Sequence, residues 1–331
     1  MDTKILTTSE EDIETAAEII KEGGIVAFPT ETVYGLGANA LDGKAVQKVY
    51  EAKGRPRDNP MIVHVAKAED VGLLTTSAGK TAEALIQSFW PGPLTLILNK
   101  KPGIPDAATA GLDTVAVRMP DDPVARKLIA KAGCPIAAPS ANLSGRPSPT
   151  KAAHVIDDMK GKADAIIAGD DCKVGIESTV LDVTGEVPVI LRPGVITDED
   201  IKAVTGGRID FDPSLFINEP EAARPKAPGM KYRHYAPRAE MIVIEGCQGN
   251  VEDEIERLKK LNEARGKRVG VMLFEEKAFK EAARGFFAKL RELDDEGVDM
   301  ILAGALPCTD GVGFAVMNRM FKSAGYNIVK V

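Results

Sequence analysis

The chain has 331 residues, 44% of them hydrophobic and 27% charged, with a formal net charge of −7. That length allows two domains, each with its own core, and that composition excludes a predominantly disordered chain. The acidic balance argues against a general nucleic-acid coat, which needs a broad basic face to displace counterions.

Four cysteines, Cys134, Cys172, Cys247 and Cys308, form no C-x-x-C pair, and three histidines accompany them. A zinc site or disulfide framework is therefore not supported, and a reducing compartment fits. The first residues, "MDTKILTTSEEDIETAAEII", are too acidic and polar for a signal peptide. No run of about 18 apolar residues follows anywhere, so a cytoplasmic protein with no membrane partner is expected.

In chain order, Ser9 with Asp12 three residues later reads as a capping box opening a helix whose apolar face is Ile13, Ala16, Ala17 and Ile20 and which ends at Gly23-Gly24. "IVAF" follows as a short buried strand. Then come "MIVHVA", "LTLILN", "TVAVRM", "PIAAP", "DAIIAG", "STVLDV" and "VPVILRPG", all β-rich runs, with helical patterns at 43–52, 80–89, 122–132 and 150–159. So many strands for so few helices predict that residues 1–210 form one α/β domain around a large, twisted, mixed sheet. Residues 211–238 carry five prolines, little apolar periodicity and a basic second half, the composition of an extended linker. Residues 239–331 alternate strand and helix regularly, which predicts a smaller, parallel, doubly wound (Rossmann-like) domain.

Two phosphate-binding signatures are incomplete. Gly79-Lys80-Thr81 has the tail of a P-loop, but Leu74 stands where the first glycine belongs and no strand leads into the turn, so an ordinary helix start is expected. Gly35-x-Gly37-x-x-Ala40 passes as a dinucleotide fingerprint, yet "PTETVY" intervenes between strand and glycine. A glycine-permitted loop that lets backbone approach a ligand is the better reading, with nicotinamide chemistry as the alternative. "PSANLSGRPSPT", residues 139–150, is dense in hydroxyl and amide groups at a strand end, where either a capped turn or a ligand site belongs. "AKGRPRDNP" sets Lys53, Arg55 and Arg57 within five positions, with Gly54 and Pro56 barring a helical stripe, and so raises the question of the anion they surround.

Read together, "PTETVYGLG", "KGRPRDNP", "MIVHV", "SFWPGPLTLIL", "VAVRMP", "PSANLSGRPSPT", "ESTVLDV" and "ILRPG" resemble, in order, the threonylcarbamoyl-AMP synthase family. The resemblance spans nearly the whole chain: a YrdC-like catalytic domain, the linker "PKAPGMKYRHYAP", and the carboxyl-terminal domain of the longer members, here with "GVGFAVMNRM". It implies an enzyme that makes threonylcarbamoyl-AMP and pyrophosphate from ATP, L-threonine and bicarbonate, with Mg²⁺ accompanying the nucleotide and no protein-only metal site. A partner transferase would then modify the adenosine next to the tRNA anticodon, so contact with tRNA would be indirect or weak.

The same resemblance implicates Lys53 and Arg55 as the catalytic Lys-x-Arg pair, facing bicarbonate or carbamate and the ATP phosphates. For ATP it implicates Arg55, Asn59, Thr114, Ser140, Asn142, Ser148, Arg192 and the linker's Tyr235; for L-threonine, Thr32, His64, Arg118, the backbone at Ala138, and Ser178. Arg118 suits a carboxylate by bidentate pairing. Taken alone, His64 within "MIVHVA" reads first as a core histidine, and Arg118 and Arg192 read first as surface ion-pair residues near strand ends. No residue is marked as the general base for the threonine amine.

A related carbamoyl-adenylate enzyme of hydrogenase maturation would add cysteine-rich zinc modules, which this sequence lacks. A non-catalytic RNA-binding module would need stacking platforms, and only 5% of residues are aromatic. Within the linker, Lys226, Lys231, Arg233, His234 and Arg238 gather where a passive tether needs none of them. The expectation is a lid that folds over the pocket, bends at Gly229 and brings Tyr235 to ATP.

Overall fold

The computed structural model describes residues 2–216, 225–228, 230, 234–306 and 311–331. Strand-forming runs and helices assemble into two sheets. Across the large one the strands lie in the order Lys4–Leu6, Ala165–Ile167, Val26–Phe28, Gly35–Asn39, Ile136–Ala137, Ile62–His64, Thr114–Arg118, Leu94–Asn99, Thr179–Asp182, Val189–Arg192 and Asp210–Phe211. Parallel pairs, such as Ile62–His64 with Thr114–Arg118, mix with antiparallel ones, such as Leu94–Asn99 with Thr114–Arg118. The sheet is mixed, as the excess of strands over helices predicts.

Local chemistry explains most of the elements. The first helix, Glu10–Lys21, buries Ile13, Ala16, Ala17 and Ile20, and Ser9 caps it by accepting from the Asp12 amide. The expected capping box is only half made. Asp12 turns its carboxylate to the Thr7 amide and hydroxyl instead of to the Ser9 amide. The helix Gly79–Phe89 has no strand entering it, and its N-cap Ala78 makes no side-chain bond, so the P-loop tail is an ordinary helix start.

The glycine-rich "GLGAN" departs from expectation: it is a strand, not a loop. A Cβ on Gly37 would lie 2.4 Å from Ile136 Cγ2 and 2.7 Å from Phe28 Cε1. These glycines let neighbouring side chains cross the sheet face, a packing requirement that sequence spacing cannot tell from ligand approach.

The second sheet is wholly parallel, in the order Val269–Met272, Met300–Gly304, Glu240–Glu245, Ile328–Lys330. Alternation divides its residues between two layers. Ile244, Met300 and Leu302 pack under the helix Gln248–Glu263, while Val243, Ile301 and Ala303 meet the helices Phe279–Asp295 and Gly311–Ser323. This is the doubly wound arrangement expected. The expected linker does not begin cleanly at 211: Asp210–Phe211 is an edge strand of the large sheet, and a 3₁₀ turn, Pro213–Leu215, follows. Among the described residues no helix is long and apolar enough to cross a membrane.

The two units share a core. Val33 and Ile176, from loops of the large sheet, and Tyr235 pack among Phe286, Phe287 and Met320 of the second. Gly175 permits the approach: at φ +84° its missing Cβ would stand 2.4 Å from Arg284 Cα and 2.6 Å from the Ala283 carbonyl. Both the left-handed backbone and the contact oppose any side chain there. Gly175→Ala is expected to destabilise the protein by about 2 kcal/mol or more in urea unfolding. A midpoint equal to that of the parent would show that the interface is not tight at this point.

Candidate active site

His64 closes one strand and Arg118 closes the parallel neighbour in register with it. The next strand is antiparallel and begins at Leu94, and its parallel neighbour begins at Thr179, one residue after Ser178. The antiparallel strand after that ends at Arg192, opposite Val180. Strand direction thus brings His64, Arg118, Ser178 and Arg192, which lie far apart in the chain, to one end of the sheet. They line a cavity of about 60 Å³ together with Thr32, Arg55, Ala138, Ser140, Glu177 and the linker residues Pro228, His234 and Tyr235.

Arg118, 3% exposed, is held from three sides. Its Nε donates to the Gly92 carbonyl at 3.2 Å, its Nη1 donates to Thr32 Oγ1 at 2.9 Å, and its Nη2 lies 2.6 Å from Glu31 Oε2. Neither carboxylate oxygen of Glu31 has a hydrogen bond, and nor does Arg118 Nη2, so the two side chains meet as a close ionic contact. Arg192 donates through Nε to the Ser178 carbonyl at 3.0 Å and through Nη2 to Ser178 Oγ at 3.1 Å, and Ser178 Oγ also pairs with Thr95 Oγ1. Arg55 is fixed by the carbonyls of Asn59 and Pro60. Three guanidiniums therefore converge on one cavity in an acidic chain, each oriented by backbone oxygen, and among the described residues only Arg118 of the three has a carboxylate within ion-pair distance.

The histidine beside them is uncharged. Burial, reinforced by the Arg118 charge, lowers His64 to about 3, and its Nδ1 has no partner while its ring meets Phe28 edge-on. Burial likewise lowers His234 to about 3, with Arg55 the next cause, and raises Tyr235 to about 12. Each of these groups stays neutral across the physiological range.

Not every implicated residue faces the cavity. Lys53 is buried beneath it and donates to the carbonyls of Ser140 and Asn142, so its ammonium is engaged with the 139–150 loop; burial, then the Arg55 charge, holds it well below its ordinary value. Ser140 Oγ bonds Asn142 Oδ1 at 2.5 Å, and Ser148 Oγ donates to Glu177 Oε1 at 2.6 Å, which ties that loop together from within. Asn59 is buried with an unpartnered Oδ1. Thr114 opens the strand that Arg118 closes and does not line the cavity. Arg57, the third cation of "KGRPR", is exposed and lies 3.9 Å from Glu51, outside the site.

Sequence reasoning missed Glu31 and Glu177. Both lie inside quoted motifs, but a carboxylate in a string of Thr and Ser carries no mark of the cation it will meet. Of the linker residues expected to form a lid, Gly229, Lys231 and Arg233 lie outside the described residues. Ala227 is fully buried against Ile62, Ala116, Val180 and Leu191, and Ala236 donates to the Gly145 carbonyl, so the described parts of the segment pack on the site.

Residues 18–194 match a family model for "Telomere recombination", and residues 196–325 match one for "Threonylcarbamoyl-AMP synthase, C-terminal domain". The threonylcarbamoyl-AMP synthase of Pyrococcus abyssi is 50% identical over 96% of both chains, and that of Bacillus subtilis is 46% identical over 98% of this chain and 96% of the other. The chain belongs to the threonylcarbamoyl-AMP synthase family. The crystal structure of P. abyssi Sua5 complexed with L-threonine superposes with a TM-score of 0.95 at 49% identity, covering 99% of this chain and 100% of that one. The family's two parts therefore correspond to the large mixed sheet with its helices and to the parallel sheet, and the second match begins upstream of the last strand of the large sheet.

The lowered histidines give this family member a pH signature. An unfolded histidine takes up its proton near 6.5, whereas His64 does so at about 3, His154 at about 4 and His234 at about 3. Below 6.5 the unfolded state binds more protons, so the stabilisation is complete above that pH and falls with acidification. Each histidine contributes a slope of at most about 1.4 kcal/mol per pH unit. Urea midpoints should drop steadily from pH 6.5 to 4, and less steeply in His154→Gln; a flat profile would mean that these side chains protonate without cost.

Proposed function

We propose that this chain is a nucleotidyltransferase that makes threonylcarbamoyl-AMP and pyrophosphate from ATP, L-threonine and bicarbonate. A separate transferase would carry the product to tRNA beside the anticodon, in the cytoplasm. The observation that carries this reading is the convergence of Arg55, Arg118 and Arg192 on one buried cavity with neutral His64 between strands. Three fixed cations suit a reaction in which a carbamate anion must approach a polyphosphate, because they offset a repulsion that water would otherwise screen.

In this reading Arg118 takes the threonine carboxylate, with its guanidinium plane already set by Gly92, Thr32 and Glu31. Thr32, His64, the Ala138 backbone and Ser178 complete the amino-acid subsite. A neutral His64 can bond a hydroxyl or amine without adding a fourth positive charge. Arg55 and Arg192 meet the nucleotide phosphates, with Ser140, Asn142, Ser148, Asn59, Thr114 and Tyr235 as further nucleotide contacts. Lys53 supports the 139–150 loop from below through its bonds to the Ser140 and Asn142 carbonyls, and so acts on the carbamate side through that loop.

Magnesium would enter with the nucleotide. The one carboxylate lining the cavity, Glu177, is already bonded by Ser148 and Arg319, and no group of three or more His, Cys, Asp or Glu that could hold a metal occurs among the described residues. A metal arriving with the nucleotide would be held chiefly by phosphate oxygens and would supply charge neutralisation to the leaving pyrophosphate.

The reaction requires four components at once. Pyrophosphate release is expected only when ATP, Mg²⁺, bicarbonate and L-threonine are all present, and mass analysis with labelled bicarbonate should find the label in the adenylate. Equal release with L-serine, or with carbamoyl phosphate in place of threonine and bicarbonate, would overturn the substrate assignment.

Access to the cavity points to the linker. About 60 Å³ is far below the roughly 300–1,000 Å³ of pockets that hold drug-sized ligands, and Pro228, His234 and Tyr235 form one of its walls. Entry of ATP then needs this wall to swing away, and its return would shield a water-labile carbamate. Exchanging residues 226–236 for a Gly/Ser spacer should lower adenylate yield by about tenfold or more with the unfolding transition retained. Full activity of the spacer variant would leave the segment as a tether.

A further inference from the structure

The "GVGFAVMNRM" segment has no part in the chemistry above, yet its Arg319 has the largest side chain among those that are fully buried. It lies on the helix Gly311–Ser323 of the second domain and points into the first. Its Nε donates to Glu177 Oε2 at 3.1 Å, its Nη2 to the Glu177 carbonyl at 3.3 Å, and its Nη1 to the carbonyls of Pro193 and Ala315. The other oxygen of Glu177 accepts from Ser148. Burial would raise the Glu177 carboxyl, but the charges of Arg319 and Arg192 and the Ser148 bond outweigh it and hold the group below the usual carboxylate range. Glu177 is thus an anion bridging the second domain to the nucleotide loop.

A second arm runs in parallel. Arg291, 3% exposed on the helix Phe279–Asp295, donates to the Pro147 carbonyl through Nε at 3.2 Å and through Nη2 at 2.7 Å. The same Nη2 reaches Asp158 Oδ2 at 2.6 Å, and Asp158 Oδ1 accepts from Arg146. Residues 146, 147 and 148 are therefore each held, directly or through one carboxylate, by a buried arginine or its partner. Apolar contacts among Val33, Ile176, Phe286 and Phe287 already join the domains. Burying two guanidiniums adds a desolvation cost that a simple docking surface has no reason to incur.

We propose that Arg291 and Arg319 are positioning residues for the reaction: they fix the 139–150 loop and Glu177 in the geometry that receives the nucleotide. The second domain is then part of the active-site scaffold and not an appendage with a separate task. The inference rests on the nucleotide reading of the cavity, and neither arginine touches substrate.

The test uses the full chain and measures the Mg²⁺–ATP and L-threonine dissociation constants separately by calorimetry, well below the unfolding midpoint. Arg291→Met leaves Asp158 paired with Arg146 but removes both bonds to Pro147. Its ATP affinity should fall by about tenfold, the scale of one charge-assisted hydrogen bond, while threonine affinity stays within about twofold. Arg291→Lys should recover part of the loss, and it carries the same measurement if the methionine variant fails to fold. Parental ATP affinity in a folded Arg291 variant overturns the inference and leaves the nucleotide reading standing. Equal weakening of both ligands, in step with lost stability, also overturns it, because that is the mark of a purely structural contact. Failure of the parent chain itself to bind ATP overturns the nucleotide reading, and the inference falls with it.

Discussion

A carboxylate buried at the junction of two domains is the constraint on which the rest of the architecture turns. Glu177 is 7% exposed and would be costly out of water unless cations and donors surround it. It has Arg319 from the second domain, Ser148 from the 139–150 loop, and the Arg192 charge nearby. Removing one partner would leave charges buried without compensation. The domain interface, the 139–150 loop and the strand end at Arg192 are consequently linked through one carboxylate.

The same physics accounts for the charge pattern of the cavity. An acidic protein concentrates three arginines at one sheet end, and they stay there because backbone carbonyls of Gly92, Asn59, Pro60 and Ser178 accept hydrogen bonds from them. Carbonyl dipoles orient a guanidinium without cancelling its charge, so the cations remain available to an anionic ligand. Among the described residues, only Arg118 of the three has a carboxylate within ion-pair distance, and that carboxylate, Glu31, comes from the loop that also supplies Thr32. Histidines kept neutral by burial add hydrogen-bonding capacity without adding repulsion.

Packing explains why the second domain sits where it does. Gly175 lets the backbone of the helix Phe279–Asp295 approach, and Tyr235 of the linker reaches Phe287 with ring centres 5.1 Å apart while also lining the cavity. The linker is thereby attached at both ends of its described course, to the large sheet through Ala227 and to the second core through Tyr235. Any movement of this wall would break apolar contacts on both sides.

The parallel sheet of the second domain was legible in the sequence because its strands and helices alternate at regular spacing and each bears a single periodicity. The buried strands of the first domain were legible as β-rich runs, and the arginines, His64 and the 139–150 loop could be named from the ordered motifs. Sequence did not reveal the strand at Gly35–Asn39, since glycine's freedom serves close packing and loop flexibility alike, nor the edge strand Asp210–Phe211, whose two residues are too few to show alternation. It also gave no sign that Lys53 would turn to the carbonyls of Ser140 and Asn142, or that Glu31 and Glu177 would face Arg118 and Arg319. Those pairings join residues 87 to 142 positions apart. Local sequence fixes which residues are apolar, which break helices and which carry charge; only the order and direction of strands in the sheet, and the docking of one domain on the other, decide which buried charges meet, because that choice is made by long-range packing and by the cost of leaving any of them unpaired.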